Sequence, residues 1–308
     1  MLSRIAEALF WIGRYVERAD GTSRILDVHL QVLLEDSWTD EDRSCRSLLS
    51  VMGAPPPKGP VDRNRLVDLL VADLDNPSSI IGALAAAREN ARRARETISA
   101  EMWEAMNGAW TALPAVRSQA VSVHAVLAWV RQRAAMVSGV ADATMSHDDC
   151  WRFIVLGRSL ERADMTARLV ATRAIAGGPS WTHLMRSCGA YQAFLRTYRG
   201  ASDDVNAAEF LLLDRLFPRS VFAALEMAEE CLEAIEPSAA RVGVADEARR
   251  VIGRARTGLE YRGAAELLVD LPGEMERIQR ACSEASNAVS RRYFPRSAAT
   301  AWSSEVAS

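Results

Sequence analysis

The chain has 308 residues, of which 49% are apolar and 25% charged, a composition that excludes a disordered or fibrous protein and allows a large core. Its 37 basic and 40 acidic side chains leave a net charge of −3, which argues against a general nucleic-acid or membrane-surface binder. The five scattered cysteines form no C-x-x-C pair, no apolar run reaches the roughly 20 residues of a membrane span, and no signal peptide is recognisable. We therefore expect a cytoplasmic protein with no membrane and no nucleic-acid partner.

Apolar residues recur at helical spacing along almost the whole chain, whereas the alternation typical of strands is rare. This pattern predicts an all-α protein, a helical bundle. Breaks are expected where prolines and glycines gather, at 54–62, 177–180, around Pro237 and at Pro272-Gly273, and residues 293–308 are expected to form a loose tail. The predicted helices cover 4–34, 40–52, 62–73, 77–97, 100–110, 115–144, 148–176, 182–199, 204–216, 218–235, 245–262 and 273–292.

Three blocks of sequence occur twice, in the same order and at a nearly constant spacing. The first block reads GRYVERAD at 13–20 and GRSLERAD at 157–164. In the second block, Trp38-Thr39 and Arg43–Cys45 correspond to Trp181-Thr182 and Arg186–Cys188. In the third block, Asp73, Pro77, Ser79 and Leu84 correspond to Asp214, Pro218, Ser220 and Leu225. We therefore predict a single domain over 1–308 that contains a tandem duplication, with units at about 1–144 and 145–292 sharing one core about a pseudo-twofold axis.

The helix of the first block carries a charged stripe opposite an apolar face. The stripes of the two copies are Arg14, Glu17, Arg18 and Arg24, and Arg158, Glu161, Arg162 and Arg168. Between the copies the apolar positions change, for example Trp11 to Val155 and Tyr15 to Ser159, while the charged positions are kept. Because a solvated face would change faster than a packed one, both stripes must be constrained.

Two constraints explain this retention. Either Glu17 and Glu161 are buried and clamped by arginines in a network that ties the two units together, or the stripes line a shared cleft that binds a ligand. Counting Asp20 and Asp164, each stripe has a surplus of one arginine, so a shared cleft would suit a phosphate or a carboxylate. The two arrangements can coexist.

The first copy also has a polar run that the second lacks, with Asn90, Arg95, Glu101, Trp103 and Asn107. We expect Ser99 to cap a helix with Glu101 in its first turn, whereas Asn90 either contributes to a site or makes a capping bond at a helix kink. The second copy instead has Pro218-Arg219-Ser220, which is either a plain helix start or an anion site at a helix N-terminus.

Motifs of common enzymes and cofactor sites are absent from the sequence. There is no nucleotide-binding glycine loop, no Glu-x-x-His metal motif and no hydrolase nucleophile motif, so we expect neither a cofactor nor a metal. Cys45 and Cys188 occupy equivalent places and are expected to be small buried side chains rather than nucleophiles. Glu17 and Glu161 are candidates for an acid/base pair, although neighbouring arginines would lower both pKa values, which suits a base poorly.

The segments YVERAD and SLERAD, the run ENAR…EMWE…N and the FPRS helix start together resemble the Alpha-E family, named for its Glu-Arg motif, over nearly the whole chain. The resemblance implies an all-helical bacterial protein commonly encoded beside a circularly permuted ATP-grasp ligase and a transglutaminase-like protein, its implied partners in a pathway that forms or hydrolyses amide bonds. One departure is Gly21, a helix-weakening residue where the second copy has Met165. The resemblance points to Arg14, Glu17, Arg18, Arg158, Glu161 and Arg162, with Asn90, Glu101, Trp103 and Asn107.

Three hypotheses follow. The leading one is an accessory partner of an ATP-grasp amide ligase in peptide formation or peptide tagging, which binds an anionic peptide or acyl-phosphate group. The second is an enzyme of that pathway acting through Glu17 or Glu161, and the third is a structural assembly protein with buried Glu-Arg networks. The candidate ligand-binding residues are the two stripes together with Asn90, Arg95, Glu101, Trp103, Asn107 and Arg219.

Overall fold

The structure, a computed structural model, describes residues 3–35, 40–55, 57–76, 78–119, 122–175, 178–199, 203–237 and 241–295, with the backbone alone at 117–119. Within these ranges the regular elements are all helices, so the all-α prediction is confirmed, and none of the helices is long and apolar enough to cross a membrane. The expected tail from residue 296 onward, Trp38-Thr39 of the second repeated block and Pro77 of the third lie outside the described residues.

Fourteen α-helices are present in the described ranges, and a π-helical turn at Asp68–Ala72 and a 3₁₀ turn at Thr172–Ala174 extend two of them. The helices are α1 Ser3–Glu35, α2 Glu41–Val51, α3 Arg63–Val67, α4 Ile80–Arg93, α5 Ala100–Gln119, α6 Val123–Thr144, α7 Asp149–Ala171, α8 Trp181–Ser187, α9 Tyr191–Thr197, α10 Asp204–Leu212, α11 Val221–Ile235, α12 Glu247–Glu260, α13 Ala264–Val269 and α14 Leu271–Tyr293.

The two long helices α1 and α7 lie at the centre and pack against each other. On one side α4 and α6 pack against α1, and α5 packs against both of them; on the other side α11 and α14 pack against α7, and α12 packs against both. Each group of four helices buries its apolar side chains in one continuous core that also includes the contact between the groups. Since α1 and α7 are surrounded in this way, most of their side chains are buried on every face.

The contact between α1 and α7 is closest at two glycines. A Cβ built on Gly13 would lie 2.0 Å from the carbonyl oxygen of Ile154, and one built on Gly157 would lie 2.0 Å from the carbonyl oxygen of Phe10. Phe10 lies three residues before Gly13, and Ile154 lies three residues before Gly157. Each glycine therefore contacts the same position of the opposite helix. The absence of a side chain at both positions lets the two backbones touch, which brings the charged side of each helix within reach of the other.

Two serines start equivalent helices by the same hydrogen bonds. The hydroxyl of Ser79 accepts from the Gly82 N–H at 3.0 Å at the start of α4, and the hydroxyl of Ser220 accepts from the Ala223 N–H at 3.0 Å at the start of α11. Each hydroxyl also donates to a carbonyl oxygen six residues earlier, of Asp73 and of Asp214 respectively. These bonds satisfy orphan backbone groups at each helix start and fix where α4 and α11 begin.

Three of the predicted helices were wrong in extent. The segment predicted as one helix over 182–199 is two, α8 and α9, because Gly189 adopts a left-handed conformation with φ of 67° that ends α8. The break predicted between 110 and 115 is absent: α5 continues through Pro114, which lies on its exposed side, where water can reach the carbonyl group that loses its donor. The short helix α13 was not predicted, and Pro272, taken as a break, lies in the first turn of α14.

Candidate functional site

The charged sides of α1 and α7 face each other, and their side chains exchange ion pairs across the contact. Arg18 holds Glu161 with two bonds, Nε to Oε1 at 2.6 Å and Nη2 to Oε2 at 3.0 Å. Arg162 holds Glu17 in the same way, Nε to Oε1 at 3.0 Å and Nη2 to Oε2 at 2.8 Å. Each glutamate of the repeated motif is therefore bound in a bidentate manner by the arginine of the opposite copy.

A second arginine reaches each of these glutamates, from a different place in each half. Arg14 Nε lies 2.5 Å from Glu161 Oε2. Glu17 is bound instead by Arg219, which stands just before α11 and places Nη1 2.6 Å from Glu17 Oε1 and Nη2 2.7 Å from Asp20 Oδ2. At this helix start, for which the sequence allowed either a plain start or an anion site, Arg219 is therefore bound by carboxylates of the chain itself.

Each helix adds an ion pair one turn further on. Arg24 pairs with Asp20 at 2.7 Å and Arg168 pairs with Asp164 at 2.8 Å, and both arginines also donate to backbone carbonyls of neighbouring segments. Arg158 departs from this pattern, because it pairs with Asp142 of α6 at 3.0 Å. We call the remaining set the Glu-Arg network: Arg14, Glu17, Arg18, Asp20, Arg24, Glu161, Arg162, Asp164, Arg168 and Arg219.

The carboxylates of the Glu-Arg network are shielded from solvent, contrary to a simple amphipathic interpretation of α1. Glu17 is 3% exposed and Glu161 is 0% exposed. Six arginines meet four carboxylates in the network, a surplus of two positive charges in which Arg219 takes the place expected for Arg158. The charged stripes line the contact between α1 and α7, with both glutamates buried in it and the arginines other than Arg14 partly exposed at its edge.

The pairing decides the protonation of the buried carboxyls. Burial by itself raises the pKa of Glu17, but Arg162 and Arg219 outweigh it and hold this pKa well below its usual range. Burial acts in the same direction on Glu161, where Arg14 and Arg18 again lower the pKa. At Asp164 burial dominates over the attraction of Arg168, so that its pKa is raised. Asp164 lacks the second arginine that Asp20 has in Arg219.

These opposite shifts predict how stability depends on pH. Because Glu17 and Glu161 bind fewer protons in the folded than in the unfolded state, their contribution is complete above the unfolded pKa near 4.5 and is lost as the pH falls below it. We expect the free energy of unfolding, measured in urea, to fall from about pH 5 downward. The fall should be shallower in Glu17→Gln and steeper in Asp164→Asn, since the raised pKa of Asp164 acts in the opposite direction. Equal slopes in all three chains would contradict these shifts.

A cleft of about 700 Å³ lies beside the network, between the first half of α1 and the end of α4. Trp11 and Tyr15 lie along one side with their rings stacked at 5.2 Å, and the guanidinium of Arg18 lies 5.4 Å from the centre of the Tyr15 ring. Tyr15 thus belongs both to the cleft and to the edge of the Glu-Arg network. A cavity of this size is typical of small-ligand and peptide sites.

The cleft is lined with more positive than negative charge. Four exposed arginines face two exposed carboxylates, and Glu89 outside the lining pairs with two of the arginines. The net balance is therefore one positive charge, and Arg4 and Arg95 make no ion pair among the described residues. The arginines are Arg4, Arg92, Arg93 and Arg95, and the carboxylates are Glu7 and Glu96.

Two of the residues predicted from the polar run, Asn90 and Arg95, line this cleft. Asn90 lines it and donates to the Ala86 carbonyl at 2.8 Å inside α4, which continues past it without the expected kink. The Trp103 ring lies near two guanidinium groups, that of Arg88 at 5.8 Å and that of Arg95 at 5.6 Å. Asn107 accepts from Arg88 at 2.9 Å. The predicted cap is present, since the Ser99 hydroxyl accepts from the Met102 N–H, and Glu101 is exposed in the first turn of α5.

The structure therefore divides most of the predicted site residues into two groups. The stripes and Arg219, apart from Arg158, form the network, whereas Asn90 and Arg95 line the cleft with Trp103 against Arg95. Asn107, which is bound to Arg88, and the exposed Glu101 belong to neither group. Sequence reasoning missed the α1 side of the cleft because it assigned Trp11 and Tyr15 to the buried apolar face. Their replacement by Val155 and Ser159 in the second copy was the available signal.

Cysteines and metal-binding groups add no second site in the described ranges. Cys45 and Cys188 are buried, as predicted, and burial raises the pKa of their thiols to about 12 and about 11, so neither is a reactive thiolate. No group of three histidine, cysteine, aspartate or glutamate side chains in the described ranges is placed to hold a metal ion.

A family comparison agrees with the repeated Glu-Arg helix at the centre of the fold. The Alpha-E family model, described as a predicted alpha-helical domain with a conserved ER motif, matches residues 1–294. The chain belongs to the Alpha-E family. In this Alpha-E protein the two ER motifs are Glu17-Arg18 and Glu161-Arg162, whose side chains bind each other across the contact between α1 and α7.

The Alpha-E chain is also similar to uncharacterised mycobacterial proteins. One from Mycobacterium bovis is 27% identical over 253 residues, which cover 72% of this chain and 29% of that protein. Proteins from two strains of Mycobacterium tuberculosis are 27% and 26% identical with the same coverage. The chain thus spans less than a third of the length of these relatives. No solved structure is significantly similar to it.

Proposed function

We propose that this Alpha-E protein is an accessory binding partner of an ATP-grasp amide ligase, and that it binds an anionic peptide or acyl-phosphate group in the cleft beside α1. The observation that carries the proposal is the cleft itself, with four arginines around an aromatic side. Guanidinium groups bind carboxylates and phosphates with paired hydrogen bonds, and the stacked rings offer an apolar surface for a side chain.

Two further observations support a role as a partner. The resemblance stated above implies an ATP-grasp ligase and a transglutaminase-like protein as neighbours in a bacterium, and the five scattered cysteines favour the cytoplasm as the setting. The aligned segment also makes up only 29% of the mycobacterial relatives, so in those chains the Alpha-E sequence is joined to a much longer polypeptide. The Alpha-E sequence thus occurs together with other protein sequence in these relatives, which supports a role beside a second protein or domain.

The Glu-Arg network has a structural role in this proposal. Its ion pairs join α1 to α7. The two equivalent pairs, Arg18 with Glu161 and Arg162 with Glu17, and the two reciprocal glycine contacts support a tandem duplication about a pseudo-twofold axis. This is the assembly function of our third hypothesis, and it is compatible with binding in the cleft. The buried, lowered-pKa state of Glu17 and Glu161 weighs against their use as acid/base catalysts.

The test compares product formation by the ligase alone, with this chain, and with the Arg95→Glu variant. We expect the chain to raise product formation by the ligase. The Arg95→Glu variant should reduce this increase roughly tenfold or more, because it removes a charge-assisted bond and places a repulsive charge in the cleft. Arg254→Glu on α12 is the matched control, because Arg254 is also exposed but lies outside the cleft. Equal product formation with all three chains would refute the proposal. Arg18 and Arg162 are unsuitable for this test, because their loss would break the buried network.

A further inference from the structure

The ends of α4 and α11 are equivalent places with opposite charge. Counted from the capping residues Ser79 and Ser220, Arg95 and Glu236 both come sixteen residues later, where the two helices have just ended. Arg92 corresponds in the same way to Glu233. The end of α4 therefore carries arginines where the end of α11 carries glutamates.

At the end of α11 the chain supplies its own partner for this charge. Arg292, at the end of α14, donates to Glu236 at 2.9 Å, and the hydroxyl of Tyr293 donates to the same carboxylate at 3.3 Å. Phe294 follows and packs its ring 6.0 Å from that of Phe153. A basic and aromatic segment thus covers the acidic end of α11.

At the end of α4 no described segment does the same. Arg95 is exposed and makes no ion pair among the described residues, its guanidinium lies 5.6 Å from the centre of the Trp103 ring, and the cleft beside it is open. By charge complementarity, the equivalent partner here would be an acidic and aromatic segment.

The chain contains such a segment close by. Residues 297–308 read SAATAWSSEVAS, with Trp302 as the one aromatic and Glu305 as the one charged side chain. The described chain ends near the cleft, because the Phe294 ring lies 5.7 Å from that of Phe10, and the Phe10 ring lies 5.7 Å from that of Trp11. An extended chain advances about 3.3 Å per residue, so Trp302 and Glu305 can reach the cleft from Phe294.

We propose that residues 297–308 bind in the cleft of their own chain, with Trp302 against Trp11 and Tyr15 and Glu305 bound by Arg95. The segment then occupies the place where a peptide of similar chemistry from another protein would bind. Because it is attached, its effective concentration is in the millimolar range, so a free peptide must compete with it. This inference concerns the cleft alone and does not require that its ligand be a ligase substrate.

The test uses the full chain and a fluorescent synthetic peptide of residues 297–308 as the probe, with fluorescence anisotropy as the readout. The wild-type chain should bind the probe at least about tenfold more weakly than the full chain carrying Trp302→Ala and Glu305→Lys, whose own segment no longer competes. Adding Arg95→Glu to that variant should abolish binding, while adding Arg254→Glu should leave it unchanged. Hydrogen exchange at residues 94–97 should be faster in the Trp302→Ala, Glu305→Lys chain than in the wild type.

Equal probe affinity for both chains, absence of binding in both, or binding that survives Arg95→Glu would overturn the inference. Binding of a second, unrelated acidic and aromatic peptide distinguishes a failure of this inference from a failure of the proposed function. If that peptide binds in an Arg95-dependent way and the 297–308 peptide does not, the proposed function stands and this inference fails. If the 297–308 peptide alone binds while Arg95→Glu leaves ligase product unchanged, this inference stands and the proposed function fails.

Discussion

Replacing Glu161 by alanine should lower the free energy of unfolding by about 3–5 kcal/mol, the usual cost of removing one partner from a buried ion pair. Glu161 is 0% exposed and binds both Arg14 and Arg18, and the Arg14 side chain is 9% exposed. Removing the carboxylate leaves two arginines close together without a counter-ion and with little access to water. Chemical denaturation with urea at pH 7 measures the loss.

The matched control is Glu89→Ala. Glu89 also binds two arginines, Arg92 and Arg93, but those side chains are 63% and 64% exposed, so we expect a much smaller loss, because solvent screens these ion pairs. A double-mutant cycle of Arg18→Ala and Glu161→Ala isolates the coupling between the two copies of the motif. A loss at Glu161 no larger than that at Glu89 would mean that the Glu-Arg network does not hold α1 and α7 together.

Gly13→Ala should destabilise the fold by about 3 kcal/mol, at the upper end of the range for overpacking. The new Cβ would lie 2.0 Å from the Ile154 carbonyl oxygen and 2.7 Å from the Arg158 nitrogen. Both atoms belong to the backbone of α7, so the clash can be relieved only by moving one helix away from the other. That movement would also lengthen the ion pairs of the Glu-Arg network, and thermal unfolding measures the combined effect.

Gly139→Ala provides the comparison for this substitution. Gly139 lies inside α6 with open space around its Cβ position, so alanine there should stabilise the protein by about 0.5–1 kcal/mol through helix propensity. Gly157→Ala should resemble Gly13→Ala, because its Cβ would lie 2.0 Å from the Phe10 carbonyl oxygen. A neutral or stabilising effect of Gly13→Ala would show that the two helices do not approach as closely as the structure has them.

The structure changes the meaning of the Glu-Arg motif that defines the family. The motif residues bind each other across the contact between α1 and α7, which gives them a structural role. The cleft next to them is lined by residues outside the motif, including Trp11, Tyr15 and Arg95. Tyr15 lies against Arg18, and the cleft therefore lies directly beside the inter-helix contact.

The amino-acid sequence by itself determined the helical class, most helix positions and the special status of the charged stripes. Periodic apolar residues suffice for the first two, because helix formation depends on local spacing and on caps such as Ser79 and Ser220. The retention of Glu17 and Arg18 as Glu161 and Arg162 indicated a constraint without identifying it.

Only the tertiary structure decided what the stripes face. Periodicity tells which side chains share one side of a helix, but whether that side meets water, a ligand or another helix depends on packing between segments about 144 residues apart. Here Gly13 and Gly157 let α1 and α7 touch, and two like stripes become complementary because each glutamate meets the other copy's arginine. The cleft was hidden from the sequence for the same reason, since its two sides, α1 and the end of α4, are brought together only by the fold.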